Sequence, residues 1–344
     1  MRRVVLLAVL VLAAAGVLLG VVAYRVLTPY KGYAAGQQFV DIPAGSSPRA
    51  IGDRLVRSGV VRDRIAFRVA LRLSARDRAL KAGEYRFDRA TSALAVVDKL
   101  ARGDVYLQPL TIREGLTIAE MAKLFAVKGF GSARDFLEAA SDPTAIRDLD
   151  PRAPDLEGYL FPDTYNLPRR VDARELVHQM VGRFKTVFDE RLRQRVTGNG
   201  QTVRELVTLA SLVEKETGQE HERSLVAAVF ANRLEKGIGL YSDPTIIYAL
   251  TKTGRYKGNL SRADLQLDSP YNTYKYPGLP PGPIAAPGRA SLHAALQPAS
   301  VDYLYFVSRN DGSHVFAHTL DEHNKNVQEY QVRYFRGRRA TGKK

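Results

Sequence analysis

An uncharged apolar stretch directly after two arginines opens the chain. The run from Val4 to Tyr24 follows Arg2 and Arg3 and contains 21 residues, all of them Val, Leu, Ala or Gly apart from the final tyrosine. About 20 helical residues are enough to cross the hydrocarbon core of a bilayer. The stretch therefore predicts a transmembrane helix over residues 4–26. The two arginines are expected to hold residues 1–3 in the cytoplasm, so that the chain from about residue 30 faces outward.

A cleaved signal peptide is the alternative interpretation of the same segment. Signal peptides have a shorter apolar region, which ends at a cleavage site made of small residues. Here the small residues at 13–16 stand in the middle of the run, and apolar residues continue after them. The length of the run and this order favour an uncleaved, single-pass anchor.

The composition excludes several classes of site. The 344 residues suffice for two or three domains, and the 45% of hydrophobic residues allow a sizeable core. Without cysteine the chain has no disulfide, no thiolate nucleophile and no cysteine-based zinc site. The net charge of +15 suits either nucleic acid or an anionic membrane and wall polymer. Because the arginines are scattered and no groove-reading motif occurs, we predict no nucleic-acid partner.

A strand–turn–helix pattern occurs twice, at an offset of 70 residues. Ile42, Gly45, Ser47, Ile51, Leu55 and Gly59 are matched in order by Ile112, Gly115, Thr117, Met121, Phe125 and Gly129. Each copy has an apolar strand end, a glycine turn, a Ser or Thr at a helix N-cap and an apolar residue every four positions. Between the copies, residues 83–87 predict a strand and residues 93–100 predict a helix.

Residues 37–148 are therefore predicted to form a small domain of βα repeats. Such a domain resembles a LysM module, which is a glycan-binding fold. Many α+β domains reuse a strand–turn–helix unit without binding glycans, so a packing or spacer domain is the alternative.

From Ala153 onward the pattern changes to longer helices. Helices are predicted over 176–188, 203–215 and 224–234, before a stretch rich in Pro, Gly and Tyr. Residues 303–308 and the segment around His314 predict a hairpin that turns at Asn310-Asp311-Gly312. The predicted fold class is thus α+β. It comprises the N-terminal transmembrane helix, the small βα-repeat domain, a larger α+β domain over 150–334 and a basic tail over 335–344.

Common catalytic motifs are missing from the sequence. It contains no GxGxxG, no Walker loop and no GxSxG. The sequence therefore gives no support for a nucleotide-binding protein or a serine hydrolase. His314, His318 and His323 are close enough in sequence to be considered as zinc ligands. No HExxH-type motif accompanies them, so polar packing or substrate contact is favoured. We predict no metal and no cofactor.

Two carboxylates end the apolar helix that is predicted over 203–215. Successive residues of a helix are rotated by about 100°, so Glu214 and Glu216 point to different sides. Glu216 shares its face with Leu209, Leu212 and Val213, whereas Glu214 has the smaller neighbours Val207, Ala210 and Ser211. Desolvation against an apolar face raises the pKa of a carboxyl group, as a general acid near neutral pH requires. On spacing alone, however, two solvent-exposed charges at a helix end are the favoured alternative.

Four motifs occur in one order along the second half of the chain. They are LEGYLFPDTY at 156–165, the segment around the two glutamates at 211–217, SDPT at 242–245, and YNTY at 271–274 running into GLPPGPI at 278–284. This combination resembles the endolytic murein transglycosylase (YceG-like) family. The apolar N-terminus and the repeat region are also similar, so the resemblance covers nearly the whole chain. One departure is Ala286, where the family often has Asn or Thr before Pro-Gly.

The resemblance implies a lytic transglycosylase, a carbon–oxygen lyase that acts on the β-1,4 bond between N-acetylmuramic acid and N-acetylglucosamine. The product carries a 1,6-anhydromuramoyl end. A standard glycosidase needs two carboxylates. In the lytic reaction the muramoyl 6-hydroxyl replaces water, so one glutamate can donate a proton and then take one back. We assign this role to Glu216, with Glu214 as the fallback.

The resemblance also implies roles for other residues in or near the motifs. The residues expected to contact the substrate are Tyr159, Tyr165, Asn232, Arg233, Asp243, Thr245, Asn272 and Tyr274. Asn232 and Arg233 are further expected to orient the acid from a neighbouring helix. Asp243 is expected to cap the helix that carries Tyr248.

The implied substrate is the glycan strand of peptidoglycan, cut within the strand and near the membrane. The implied location is the bacterial cytoplasmic (inner) membrane, with residues 150–334 as the catalytic domain outside the cytoplasm. Proximity to newly made strands would let cleavage end their elongation, with a peptidoglycan synthase as a partner. Two alternatives stay open: a non-catalytic, membrane-anchored peptidoglycan-binding scaffold, and a true hydrolase.

Overall fold

Helices and three two-stranded sheets make up the protein, which confirms the α+β prediction. The computed structural model describes residues 1–74 and 80–336. Packing divides the chain into one unit of residues 1–108 with 166–169 and a second of residues 109–165 with 170–344. Residues 337–344 of the predicted basic tail lie outside the described residues.

The first unit contains the apolar N-terminus and the first copy of the repeat. Its elements are α1 (Arg2–Leu27), β1 (Gln38–Ile42), α2 (Pro48–Arg57), α3 (Arg64–Ser74), β2 (Gly83–Phe87) and α4 (Ala93–Arg102). Strands β1 and β2 pair antiparallel with Val40 opposite Tyr85. The ring of Tyr85 is fully buried, and its hydroxyl donates a hydrogen bond to the carbonyl of Lys81 at 2.7 Å. The predicted strand and helix between the two copies are therefore confirmed.

Helix α1 has the length and composition to cross a membrane. Its apolar side chains are exposed over almost the whole length, and only Val26 near its C-terminal end is buried, where α1 contacts α3 and α4. The prediction of one apolar N-terminal helix is confirmed.

The two copies of the repeat adopt the same local conformation. Four turn glycines have φ angles between 70° and 79°, a region that side chains with a Cβ rarely adopt: Gly45, Gly59, Gly115 and Gly129. Ser47 caps α2 in the first copy, and Thr117 forms a capping box with Glu120 in the second. The repeated strand–turn–helix is confirmed, while the LysM-like, glycan-binding interpretation stays a prediction.

The second unit carries the four motifs. Its elements are β3 (Gln108–Thr111), α5 (Ile118–Val127), α6 (Ala133–Ala140), β4 (Thr164–Leu167), α7 (Ala173–Val187), α8 (Glu190–Gly198), α9 (Val203–Glu216), α10 (Arg223–Glu235), α11 (Asp243–Lys252), α12 (Arg289–Leu296), β5 (Tyr305–Ser308), β6 (His314–Ala317) and α13 (Leu320–Val327). The second copy of the repeat belongs to this second unit because α6 packs on both α5 and α7. The predicted domain bounds of 37–148 and 150–334 stay predictions.

Helix α9 is the centre of the second unit. A capping box of Thr202 and Glu205 begins it, and every residue from Leu206 to Val213 is buried. It packs against α8, α10, α11 and α12, so its middle is buried and only its two end turns reach the surface. Strands β5 and β6 form the predicted hairpin, with Phe306 paired to Phe316. The three helices predicted in this region are confirmed within a few residues at each end.

Candidate active site

Glu216 is the last residue of α9. The helix ends there because the backbone of Thr217 is extended (φ −138°), and the Glu216 side chain is half-buried. Its Oε1 accepts a hydrogen bond from the Ser242 hydroxyl at 2.6 Å. Burial raises the pKa of the Glu216 carboxyl, and the negative charge of Asp243 raises it further. The Ser242 hydrogen bond and the nearby His314 and Arg233 side chains oppose this rise without cancelling it.

Glu214 has a different environment although it lies only two residues away. Its Oε2 accepts a hydrogen bond from the backbone N–H of Gly288 at 2.9 Å, and its Oε1 lies 3.5 Å from the Arg223 guanidinium. The same guanidinium lies 3.8 Å from Glu114, and the Glu214 side chain is only 6% exposed. This carboxylate is therefore engaged in joining α9, α10 and the start of α12. Of the two glutamates, Glu216 has the environment of an acid.

Ser242 and Asp243 begin α11 beside Glu216. Ser242 is the N-cap residue by position, and Asp243 is the first residue of the helix, so the prediction that Asp243 caps this helix is wrong. The physical reason is that both side chains are used elsewhere. Ser242 donates to Glu216, and Asp243 accepts a hydrogen bond from the Tyr274 hydroxyl at 2.7 Å.

Arg233 is a buried cation that binds backbone carbonyls. Its Nε donates to the carbonyl of Leu304 at 2.6 Å, and its Nη1 donates to the carbonyls of Leu240 at 2.8 Å and Gly239 at 3.2 Å. Burial lowers the pKa of the guanidinium. Among the described residues no carboxylate forms an ion pair with it, so its charge acts on Glu216 through space. Its hydrogen-bonding nitrogens are thus engaged with backbone carbonyls, and its expected role in orienting the acid stays a prediction.

A glutamate–histidine pair lies near Glu216. Glu222 accepts hydrogen bonds from the backbone N–H of His314 at 2.8 Å and from the Thr217 hydroxyl at 3.1 Å, and its Oε2 lies 2.7 Å from the His314 Nδ1. Burial alone would raise the pKa of Glu222, but these hydrogen bonds hold it below its ordinary value. An ionised Glu222 places the imidazole proton on Nδ1 and fixes the ring orientation. Because Thr217 follows Glu216 directly, the pair also fixes the end of α9.

The three histidines do not converge on one point. His318 pairs with Asp302 at 2.7 Å, and the ring of His323 stacks on Tyr305, while His314 is held by Glu222. Within residues 1–74 and 80–336, no group of three or more metal-binding side chains comes together.

The tyrosines expected to line a substrate groove are buried. Tyr159 is 1% exposed, and its hydroxyl donates to Asp150 at 2.7 Å; Asp150 is in turn held by Arg204. Tyr165 is 8% exposed, and its hydroxyl donates to the carbonyl of Phe161. A buried tyrosine needs a partner for its hydroxyl, and both have one inside the protein. Direct contact of these two side chains with a glycan is therefore not supported.

Three polar residues expected to bind substrate instead hold loops in place. Asn232 donates to the carbonyls of Val301 and Tyr303, and Asn272 donates to those of Leu265 and Leu267. Thr245 is fully buried and shares a hydrogen bond with the Thr273 hydroxyl at 3.0 Å.

Their contribution to the site is indirect. The Thr273 hydroxyl accepts a hydrogen bond from the backbone N–H of Ser242 at 3.0 Å, so the loop at 271–274 fixes the residue that bonds to Glu216. Asn272 shapes the same loop by accepting a hydrogen bond from the N–H of Tyr274. Asp243 and Tyr274 are the two exposed residues among those predicted to bind substrate, and both lie near the acid.

Sequence reasoning missed several of the residues that surround Glu216. Ser242 lies in one of the four motifs without an assigned role, and His314 is considered there only as a metal ligand, as polar packing or as a substrate contact. Tyr241, which lies beside Ser242, carried no signal, because nothing in the sequence around it marks an unusual backbone conformation. The one sequence signal that marks Ser242 is its position directly before Asp-Pro in the SDPT motif.

Gly158 shows why the first motif belongs to this site. Its φ is +84°, and a Cβ at this position would lie 2.5 Å from Pro283 and 2.9 Å from Val207. The Pro-rich loop and α9 therefore pack directly on its backbone.

We expect Gly158→Ala to lower the free energy of unfolding by about 3 kcal/mol or more, since both the left-handed backbone and the crowding oppose a methyl group. Thermal unfolding of the full-length protein measures this. The matched control is Gly182→Ala on α7, where no atom lies within 4 Å of the added Cβ. That change is expected to stabilise the protein by up to about 1 kcal/mol. Equal effects of the two substitutions would contradict the packing described for Gly158.

Comparison with known proteins identifies relatives over most of the chain. Residues 40–329 match the model of the YceG-like family. An endolytic murein transglycosylase of Bacillus subtilis is 34% identical over 306 residues, which cover 85% of this chain and 84% of that protein. An endolytic murein transglycosylase of Streptococcus pneumoniae is 32% identical over 326 residues, and the match covers 85% of this chain but 58% of that longer protein.

A solved structure supports the same assignment. The crystal structure of a yceG-like protein from Listeria monocytogenes superposes with a TM-score of 0.58 at 33% sequence identity, covering 84% of this chain and 98% of that one. Sequence motifs, family match and three-dimensional similarity agree. This chain belongs to the YceG-like family.

Proposed function

We propose that this chain is an endolytic murein transglycosylase that cleaves the β-1,4 bond between N-acetylmuramic acid and N-acetylglucosamine. The observation that carries the proposal is the environment of Glu216, a carboxyl group with a raised pKa at the end of a buried helix, hydrogen-bonded to Ser242. The names of the relatives from Bacillus subtilis and Streptococcus pneumoniae support the substrate class.

The proposed reaction uses one carboxyl group twice. Glu216 begins protonated and donates its proton to the oxygen that leaves with N-acetylglucosamine while the bond from this oxygen to the muramoyl C1 breaks. The muramoyl 6-hydroxyl then attacks C1 and gives its proton to the Glu216 carboxylate. A 1,6-anhydro ring forms, no water is consumed, and the acid is restored for the next cycle.

The neighbours of Glu216 suit both halves of this cycle. The negative charge of Asp243 and the low solvation of the site favour the protonated acid before cleavage. The Ser242 hydroxyl and the positive charge of Arg233 favour the carboxylate that exists after the proton has left. Because these contributions to the pKa of Glu216 have opposite signs, the carboxyl group can both give up a proton and take one back.

Opposite shifts of the pH profile are expected from two substitutions beside Glu216. Because the acid form starts the reaction, kcat/KM falls as the pH rises through the Glu216 pKa. Ser242→Ala removes a donor that stabilises the carboxylate, so the pKa rises and the alkaline limb moves to higher pH. Asp243→Asn removes a negative charge, so the pKa falls and the limb moves to lower pH, with the Asn side-chain oxygen still able to accept from Tyr274.

The measurement is kcat/KM for glycan cleavage as a function of pH for the wild type and both variants. At its own optimum, each variant is expected to retain activity within about tenfold of the wild type. Shifts in the same direction, or no shift in either variant, would mean that another group controls the alkaline limb.

The apolar helix α1 bears on where in the cell this activity takes place. We propose that α1 crosses the bacterial inner membrane once, with the three N-terminal residues in the cytoplasm and the second unit outside. Tethering keeps the active site near newly polymerised glycan, where cleavage within a strand ends its elongation. A peptidoglycan synthase is the partner that this location favours.

Product analysis tests the function. Full-length protein in detergent is incubated with peptidoglycan in water enriched in ¹⁸O, and the muropeptide ends are analysed by mass spectrometry. The proposal predicts 1,6-anhydromuramoyl ends without the label. Labelled reducing ends would identify a hydrolase, and unchanged glycan from folded protein would identify a non-catalytic scaffold.

A further inference from the structure

Tyr241 has a backbone conformation that its side chain disfavours. Its φ is +52°, and Asn310 is the one other non-glycine residue with a positive φ among the described residues. Asn310 begins the hairpin turn, and asparagine tolerates this region. A large aromatic residue does not, and such strain persists where the surrounding structure enforces it, often at ligand-binding sites.

The neighbouring residues hold Tyr241 in this conformation. Its N–H donates to the carbonyl of Thr273 at 3.4 Å, and the next residue, Ser242, is fixed by its bond to Glu216. Gly239 makes room for the ring, because a Cβ on that residue would lie 2.8 Å from it. The strain is therefore built into the segment that delivers Ser242 to the acid.

The effect of this backbone is to leave the tyrosine ring on the surface. Tyr241 is 49% exposed, and its ring centroid lies 5.4 Å from that of Tyr274, which is 36% exposed. The guanidinium of Arg233 lies 5.6 Å from the centroid of the Tyr241 ring. Two adjacent aromatic rings thus stand partly in solvent beside Glu216, with one hydroxyl anchored on Asp243.

A sugar is the ligand whose chemistry matches these two aromatic rings. A pyranose has an apolar C–H face and a polar rim of hydroxyl groups. Aromatic rings offer an apolar face of matching size, and tyrosine adds a polar tip. A folding role for the exposed ring is disfavoured, because glycine or asparagine would adopt the same backbone with less strain.

We propose that Tyr241 is a substrate-contacting residue, which together with Tyr274 forms a platform for the pyranose ring next to the bond that Glu216 protonates. This inference rests on the proposed function. It adds a specificity-determining residue that the four motifs do not contain, and it assigns the strained backbone to substrate binding.

Two substitutions distinguish the contribution of the Tyr241 aromatic ring from that of its strained backbone. Tyr241→Phe keeps the aromatic face and loses only the hydroxyl, so it is expected to raise KM much less than Tyr241→Asn does. Tyr241→Asn removes the face and relieves the strain. It is expected to raise KM for glycan strands about tenfold, to change kcat less than KM, and to leave Tm equal or higher. A variant that is at least as stable as the wild type but binds substrate worse cannot be explained by misfolding.

A binding measurement separates this inference from the proposed function. Isothermal titration calorimetry with a peptide-free murein glycan oligosaccharide compares full-length Glu216→Gln with the double variant Glu216→Gln/Tyr241→Asn. An increase of about tenfold in Kd supports the platform. Equal Kd values, or an unchanged KM in Tyr241→Asn, would overturn the role of Tyr241 alone. No binding by the Glu216→Gln parent would overturn the proposed function as well.

Discussion

Glu216→Gln is expected to lower the rate of glycan cleavage by about a thousandfold or more while leaving the fold intact. A glutamine has nearly the same shape and can still accept the Ser242 hydrogen bond, but its amide cannot donate a proton to the leaving oxygen. General acid–base catalysis contributes about a hundredfold to ten-thousandfold in rate. Here one group serves in both steps, so the loss is expected in the upper part of that range. The measurement is kcat for the release of anhydromuramoyl ends by the full-length protein.

Glu214→Gln is the matched control for this experiment. The glutamine oxygen still accepts the Gly288 N–H, but the ion pair with Arg223 is lost. The Arg223 guanidinium then keeps only Glu114, at 3.8 Å, as a charged partner, and we expect this weaker pairing to cost about 1–3 kcal/mol of stability. We therefore expect a lower Tm and activity within about tenfold of the wild type. If Glu214→Gln abolished cleavage and Glu216→Gln did not, the roles of the two glutamates would be reversed.

Glu157→Gln is expected to stabilise the protein at neutral pH. Glu157 is 7% exposed, accepts hydrogen bonds from the Ile118 N–H at 3.1 Å and the Tyr248 hydroxyl at 3.3 Å, and burial raises its pKa to about 8. In an unfolded chain a glutamate has a pKa of about 4.3. Between these two values the folded protein holds one proton more than the unfolded chain, so the free energy of unfolding falls as the pH rises.

Glutamine removes this dependence because it carries no titrating proton. At pH 7 we expect the variant to be more stable than the wild type by about 3 kcal/mol, and at pH 4 the two should be nearly equal. Urea unfolding of both proteins at several pH values measures the difference. Glu235→Gln, which changes an exposed glutamate at the end of α10, is the control and should alter stability by less than about 0.5 kcal/mol. A Glu157→Gln variant that is less stable than the wild type at pH 7 would show that Glu157 is ionised in the fold.

The repeat could be predicted from the sequence because its signals are local. A glycine at a positive φ, a Ser or Thr cap and an apolar residue every four positions each act over one or two turns of chain. The same holds for the hairpin of β5 and β6, whose turn contains Asn310 and Gly312. Periodicity also predicted α9 and its apolar neighbours correctly.

The choice between Glu214 and Glu216 could not be made from local signals. Both end the same helix, and what distinguishes them comes from distant segments. Arg223 and the Gly288 N–H bind Glu214, whereas Ser242 binds Glu216. Only the tertiary arrangement determines which carboxyl is left for chemistry.

The sequence also does not show which tyrosines of the motifs are buried and which are exposed. Tyr159 and Tyr274 are both motif tyrosines, yet Asp150 provides a buried partner for one hydroxyl and Asp243 a surface partner for the other. Motifs identified the segments that meet at the site but not which side chains face substrate. The polar residues Asn232, Asn272 and Thr245 illustrate the same point, since their hydrogen bonds shape the loops around Glu216.

The position of the Glu216 side chain relative to a bound strand provides the most direct test. A crystal structure of the Glu216→Gln variant with a murein glycan oligosaccharide would capture the complex before cleavage. We predict that the amide introduced at position 216 lies within hydrogen-bonding distance, about 3 Å, of the glycosidic oxygen on the N-acetylglucosamine side. A strand bound with that oxygen beyond reach of position 216, or beside Glu214 instead, would contradict the assignment of Glu216 as the acid and base.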